Sequence, residues 1–88
     1  MNKLDKILMN HNICPGYNGY AYIKTIVKSK LLKKNINITQ VYKYAALKHN
    51  TLPSRVERSI RHVLSKSDIC KTNKIALSIL TIEYEGMI

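Results

Sequence analysis

All three arginines of the chain lie within one short segment, at Arg55, Arg58 and Arg61. An arginine side chain ends in a planar fork of N–H donors, which suits paired contacts with fixed acceptors better than a lysine ammonium does. On DNA such acceptors lie on the guanine edge in the major groove, and a carboxylate such as Glu57 can accept from the cytosine amino group. This segment is therefore the candidate for direct contacts with bases.

The spacing of the residues around these arginines predicts an amphipathic helix over residues 53–66. Pro53 fits the first turn of a helix, where its missing N–H donor is not needed. At about 100° per residue, apolar and polar positions fall on opposite sides. The apolar stripe is Val56, Ile60, Val63 and Leu64, and the polar face is Ser54, Arg58, Arg61 and Ser65. The polar face equally fits an ordinary solvated surface on which Glu57 and Arg61 form an i,i+4 ion pair.

Another helix is predicted just before this one in the chain, over residues 39–49, with Thr39 as its cap. Its apolar and small residues are Val41, Tyr42, Ala45 and Ala46. Two helices joined by a short turn have the layout of a helix-turn-helix, whose second helix lies in the major groove. The predicted helix-turn-helix spans about residues 39–66.

The remainder of the chain is also predicted to be helical. Asn2 caps a first helix that ends near Asn10, before the break at Pro15 and Gly16. Asn18 caps a helix that runs to about Lys34, with a buried stripe at Ile23, Ile26, Val27 and Leu31. The tail, residues 75–84, fits both helical spacing (Ile75, Ile79, Ile82) and strand alternation, and a helix from Thr72 is favoured because a lone strand has no partner. The expected fold is all-α, a compact bundle of about five helices in a single domain over residues 1–88.

The net charge of +10, from fifteen basic and five acidic side chains, predicts an anionic partner. Nucleic acid, an anionic membrane surface and an acidic protein would each satisfy this charge. Residues 1–50 contain nine lysines and one aspartate. We therefore expect the general attraction for anions to be spread over that half of the chain. A basic cluster at Lys28, Lys30, Lys33 and Lys34 could contact phosphates or keep the domain in solution.

Other classes of protein find little support in the sequence. No signal peptide and no apolar run long enough to span a bilayer is present. The two cysteines, Cys14 and Cys70, are expected to be reduced thiols in a cytoplasmic protein. Neither they nor His11, His49 and His62 have zinc-ligand spacing. Without a glycine-rich phosphate loop or a nucleophile beside a base, we expect neither an enzyme nor a metal or cofactor site.

Two stretches of the chain form distinctive motifs. The first is Asn50-Thr51, followed after two residues by Ser54-Arg55-Val56-Glu57-Arg58-Ser59-Ile60-Arg61-His62. The second is Gly19-Tyr20-Ala21-Tyr22-Ile23-Lys24, a few residues after a proline. Both stretches, including the preceding proline, resemble one known family, the C-terminal effector domain of the stage-zero sporulation master regulator of endospore-forming bacteria. With Val41-Tyr42 and Ala46 in the supporting helix, the resemblance covers roughly residues 4–66.

The resemblance implies sequence-specific binding of double-stranded DNA at short promoter boxes of the TGTCGAA type, often by tandem copies bound head to tail. By matching positions, the residues that contact bases are Glu57, Arg58 and Arg61. Those at or near the DNA backbone are Ser54, Arg55 and His62, and we add Lys48, Thr51 and Lys66 as further candidates. Such a transcriptional regulator is expected at the nucleoid.

The chain also departs from the family. We expect neither a receiver domain nor control through receiver phosphorylation. Ser59 replaces a small apolar residue, and the stretch between Leu64 and Thr72 is too short for the extra helix found there in the family. Because that region helps engage RNA polymerase, a repressor or a competitor for the same boxes is an alternative to an activator. Two other hypotheses are a protein-interaction module that pairs with a full-length regulator, and a single-strand binder that stacks bases on tyrosines.

Overall fold

The computed structural model describes residues 2–34, 36–69 and 71–87. These residues form five α-helices and one short 3₁₀ helix, and none of them lies in a strand. In chain order the elements are α1 (Lys3–Asn10), α2 (Asn18–Ser29), the 3₁₀ helix (Leu31–Lys34), α3 (Ile38–Lys48), α4 (Pro53–Ser65) and α5 (Asn73–Gly86). The all-helical prediction is confirmed. Within the described residues, no helix is both long and apolar enough to cross a bilayer.

Side-chain caps fix the start of three helices. Asn2 Oδ1 accepts from the Asp5 N–H at 2.8 Å, as the sequence predicts. Thr72, the predicted start of the last helix, is its cap, and its Oγ1 accepts from the Ile75 N–H at 3.4 Å. Each cap satisfies an N–H that has no partner inside its helix. The third cap is Asn37, not Thr39, because Asn37 Oδ1 lies 2.9 Å from the Gln40 N–H, whereas Thr39 is already inside α3.

Helix α2 begins and ends differently from the prediction. Asn18 is its first residue rather than its cap, and Tyr17 occupies the cap position without a side-chain hydrogen bond. The helix stops at Ser29 instead of Lys34, because Lys30 adopts a left-handed conformation with φ of 56°. Such a residue ends an α-helix. The chain then tightens into the 3₁₀ helix, from which Leu31 and Leu32 pack against the core.

The core lies between α2 and α4, with α1, α3 and α5 around them. Ile23, Ile26 and Val27 of α2 are fully buried, as are Val56, Ile60 and Val63 of α4. At the α2–α4 crossing, Gly19 lies directly against the backbone of Ser59, and a Cβ at Gly19 would stand 2.2 Å from the Ser59 carbonyl oxygen. The close crossing therefore depends on the absence of a side chain at position 19.

The last helix resolves the ambiguity of the tail, but it buries a different face from the one suggested by the isoleucines. Ala76, Leu77, Leu80 and Thr81 face the core, while Ile75 and Ile82 are exposed by 49% and 67%. Both sets have helical spacing. A helix this apolar does not select its buried side by periodicity alone, and packing against α1, α2 and α4 makes the selection.

Polar networks tie the outer helices to the core. The Tyr20 hydroxyl donates to Asp5 Oδ1 at 2.6 Å, and Lys24 Nζ reaches the same oxygen at 2.8 Å. Burial and the hydrogen bond to Asp5 raise the pKa of Tyr20 to about 12. The hydrogen bonds from Lys24 and Tyr20 lower the pKa of Asp5. These contacts join α1 to α2 at the tyrosine of the Gly-Tyr-Ala-Tyr stretch.

A second network is centred on His11, at the end of α1. Its Nδ1 lies 2.8 Å from Asp68 Oδ1, and its Nε2 lies 2.9 Å from Glu83 Oε1. Partial burial lowers the pKa of His11, but the hydrogen bonds with Asp68 and Glu83 outweigh it, so that the pKa is raised above 6.5. Only the imidazolium form donates from both nitrogens, because a neutral ring carries a single N–H.

We expect this network to make the stability depend on pH. Since the folded-state pKa of His11 lies above the unfolded value of 6.5, its contribution is complete below pH 6.5 and disappears as pH rises through the folded-state pKa. His11→Gln should lower the stability by about 1 kcal/mol near pH 6 because both carboxylates are partly exposed. That corresponds to about 5 °C in Tm. Thermal unfolding near pH 6 and near pH 9 measures the difference, which should shrink at the higher pH.

His62→Gln is the matched control, since His62 lies against a tyrosine ring rather than a carboxylate. A His11→Gln deficit that stayed constant or grew with pH would show that the imidazolium form does not stabilise the fold.

Candidate nucleic-acid interface

One side of helix α4 is buried in the core, and the other side is exposed to solvent. Val56, Ile60, Val63 and Leu64 are buried, whereas Ser54, Arg58, Arg61 and Ser65 are all exposed. Pro53 occupies the start of the helix, as expected for a residue without an N–H donor. The two arginines singled out by their spacing thus extend from a helix whose position is fixed by its buried face.

The turn before α4 is built by backbone hydrogen bonds and one left-handed residue. Asn50 has φ of 53°, a conformation that asparagine tolerates better than most residues. It allows the Thr51 N–H to donate to the Ala46 carbonyl at 2.9 Å and closes the end of α3. The predicted connection Asn50–Pro53 therefore joins α3 to α4 directly, and the helix-turn-helix layout is present.

The remaining predicted contact residues lie around this exposed face. Lys48 stands at the end of α3, with its ammonium 5.7 Å from the centre of the Tyr44 ring. Thr51 is half-buried in the turn. The other candidates for backbone contacts are exposed along α4 or at its end: Ser54, Arg55, His62 and Lys66.

Glu57 and Arg61 contact each other in the free protein. Arg61 Nη1 lies 3.1 Å from Glu57 Oε1, and the two side chains are 65% and 32% exposed. A pair this exposed contributes a few tenths of a kcal/mol. The i,i+4 ion pair anticipated as an alternative role is therefore formed, and it is weak enough to open when a better partner is offered to either group.

Two residues lie beside α4 at positions that the sequence did not predict, because they belong to segments distant along the chain. The Tyr17 ring packs edge-on against His62, with 5.6 Å between ring centres. Tyr17, Asn18 and Gly19 at the start of α2 line one side of a cleft of about 250 Å³, and Arg58, Ser59 and His62 line the other. Tyr17 therefore borders the exposed face of α4.

The second is Asn73, the first residue of α5. Its side-chain amide donates to the Tyr42 hydroxyl at 3.0 Å and to the Glu57 carbonyl at 3.2 Å. Burial raises the pKa of Tyr42, partly offset by the hydrogen bond from Asn73. One amide thus links α3, α4 and α5 at the level of Glu57 and Arg61.

His49 occupies the joint of the helix-turn-helix as a packing residue. Its ring meets Tyr22 edge-on at 5.0 Å between centres, and its Nε2 lies 2.6 Å from Thr25 Oγ1. Together with the tie of Tyr20 to α1, this contact gives both tyrosines of the Gly-Tyr-Ala-Tyr stretch a structural role. Tyr20 and Tyr22 are 9% and 8% exposed, which leaves neither ring open for stacking on bases, and Tyr42 is half-buried against the core.

The electrostatic balance of the exposed face is positive. Arg55, Arg58, Arg61 and Lys66 are exposed on or at the end of α4, and Glu57 is its one acidic residue. Arginine forks on a convex helix match the acceptors of a major groove, and the surrounding cations match its phosphates.

Comparison with models of protein families gives a match. The family model described as "Sporulation initiation factor Spo0A C terminal" matches residues 4–82 of the 88-residue chain. The match extends beyond residues 4–66, on which the sequence resemblance rested. Comparisons with curated proteins and with solved structures found no match. The match covers most of the chain, and the all-helical fold with its helix-turn-helix agrees with it. The chain therefore belongs to the Spo0A C-terminal family, the DNA-binding domain of a sporulation regulator.

Proposed function

We propose that this chain is a transcriptional regulator that recognises short promoter boxes in double-stranded DNA through α4. The observation that carries the proposal is the exposure of Arg58 and Arg61 on a helix whose opposite side is buried. Placed in a major groove, the two guanidinium groups meet the guanine acceptors, and Glu57 can accept from a cytosine amino group. Binding to chromosomal DNA places the protein at the nucleoid, in the cytoplasm.

The backbone contacts assigned to this mode of binding surround the base-reading residues. Ser54, Arg55 and Thr51 lie where the turn meets α4, and Lys48, His62 and Lys66 lie on either side of it. Contacts to phosphates set the register of the helix in the groove, whereas contacts to bases set the sequence preference. Binding of a second copy head to tail on a neighbouring box, and contact with RNA polymerase, are further parts of the proposal.

The experiment is a titration of the protein with duplex DNA containing a TGTCGAA box, with scrambled duplex and with single strand, at two salt concentrations. We expect the box duplex to bind at least about 10³-fold more tightly than the scrambled duplex. Equal affinity for both duplexes would refute sequence-specific recognition. A preference for the single strand would instead support stacking on exposed tyrosines. A probe with two boxes that showed only independent binding would remove the tandem arrangement.

A second candidate is a competitor that pairs with a full-length sporulation regulator and has no activation function of its own. The observation in its favour is the exposure of Ile75 and Ile82 on α5. Weak and indifferent binding to all three DNA probes, with a stable complex in sedimentation of the mixed proteins, would support this role over the first.

A further inference from the structure

The connection from α4 to α5 brings two lysines beside the exposed face of α4. Among residues 66–72, those that the structure describes form a turn, bends and irregular chain without a helix. The amide of Asn73, at the start of α5, consequently reaches the carbonyl of Glu57, in the middle of α4. Lys71 and Lys74 flank this contact and are both exposed.

These lysines share a continuous depression with Arg61. One cleft, of about 600 Å³, is lined by Arg61 and Lys71, and an adjoining cleft of about 390 Å³ is lined by Arg61, Lys71 and Lys74. Glu57 also lines the second cleft, but its carboxylate is engaged by Arg61. Among the described residues, neither lysine has a carboxylate within ion-pair distance. Three cations therefore face one depression with a single, already paired acid.

The geometry of a groove-bound helix indicates what fills this depression. A helix with its side chains is about 10–12 Å across, and the major groove is about 12 Å wide. A helix in the groove therefore leaves no lateral space, and a group packed on its flank at the level of its outward residues faces the sugar–phosphate wall. Lys71 and Lys74 are such groups, since Asn73 between them touches α4 at Glu57.

We propose that Lys71 and Lys74 form a phosphate-binding pair, here called the clamp. The clamp binds phosphates of the DNA duplex along the flank of α4, next to Arg61. This inference rests on the proposed function, because it requires α4 to lie in the major groove. The clamp adds electrostatic affinity without sequence preference. The clamp depends on the short connection between α4 and α5, because this connection places the start of α5 beside the recognition helix.

The test compares the double variant Lys71→Gln, Lys74→Gln with Lys3→Gln, Lys6→Gln. The control removes the same charge from α1, which packs on α5 and has no extensive contact with α4. Because each phosphate contact contributes about 0.9 to the salt slope, loss of two contacts should lower the slope of log K against log salt by about 2. Between about 50 and about 200 mM salt, the wild-type protein should lose about ten-fold more affinity than the clamp variant.

The salt slopes and the ratio of box to scrambled affinity together test the clamp. A reduced salt slope for the clamp variant, with an unchanged slope for the α1 control, supports the clamp. The ratio of box to scrambled affinity should also stay within about three-fold of wild type, since phosphate contacts read no bases. Equal slopes for the two variants would overturn the clamp while leaving box recognition intact. If the wild-type protein fails to prefer the box but the clamp variant alone loses affinity, the clamp stands and the proposed specificity falls.

Discussion

Gly19→Ala is expected to lower the melting temperature by about 15 °C. The added Cβ would stand 2.2 Å from the Ser59 carbonyl oxygen, 2.8 Å from the Ser59 carbonyl carbon and 2.9 Å from Val63 Cγ1. Two of these neighbours are backbone atoms of α4, so a rotamer change cannot relieve the contact and α2 must move away from α4. Overpacking of this kind costs about 3 kcal/mol, and each kcal/mol lowers Tm by about 4–8 °C in a domain of this size.

Gly86→Ala provides the control for this measurement. Gly86 ends α5 with open space around the position of its missing side chain. Since alanine is favoured over glycine in helices by up to about 1 kcal/mol, this variant should unfold at or slightly above the wild-type temperature. Thermal unfolding followed by circular dichroism measures both. A Gly19→Ala protein within a few degrees of wild type would mean that the α2–α4 crossing tolerates a wider separation than the structure shows.

Arg58→Ala is expected to reduce the preference for box over scrambled duplex by about 10- to 100-fold, because one paired contact between a guanidinium and guanine supplies about 1–3 kcal/mol of discrimination. Arg58 is exposed, so the fold should be unaffected and the free energy of unfolding should change by no more than about 0.5 kcal/mol, as is typical of surface substitutions. Competition binding with both duplexes at one salt concentration gives the ratio directly.

Arg58→Lys separates the geometry of this side chain from its charge. Lysine retains the positive charge but lacks the planar fork. The variant should therefore keep the salt slope of the wild-type protein and still lose most of the discrimination. Arg61→Ala should reduce discrimination as well, and it also leaves Glu57 without its partner at 3.1 Å. Full discrimination retained by Arg58→Ala and Arg61→Ala together would contradict base reading by α4.

The amphipathic helix and its outward arginines could be predicted because their determinants are local. The spacing of Val56, Ile60 and Val63 defines the buried side of α4, and Arg58 and Arg61 must then point outward. The cap at Asn2 was also accessible, since a cap contacts its own first turn. The caps predicted at Asn18 and Thr39 were each displaced by one or two residues, because several polar residues near those helix starts can serve as caps. Likewise, the runs around Gly19 and Arg58 identified the family because they are uninterrupted stretches of sequence.

Features set by contacts between distant residues could not be obtained in this way. The end of α2 at Ser29 reflects the packing of Leu31 and Leu32 on the core, and the buried side of α5 was selected by its neighbours from several helical faces of similar hydrophobicity. Tyr17 beside His62 and Asn73 beside Glu57 are brought together by tertiary packing alone.

The chain itself thus determined its helices, its positive charge and the residues offered to DNA, because periodicity and composition act over a few residues. Only the tertiary structure decided how closely α2 approaches α4 and which cations stand beside Arg61. Both depend on side chains far apart in sequence, whose relative positions are fixed only when the helices share one core.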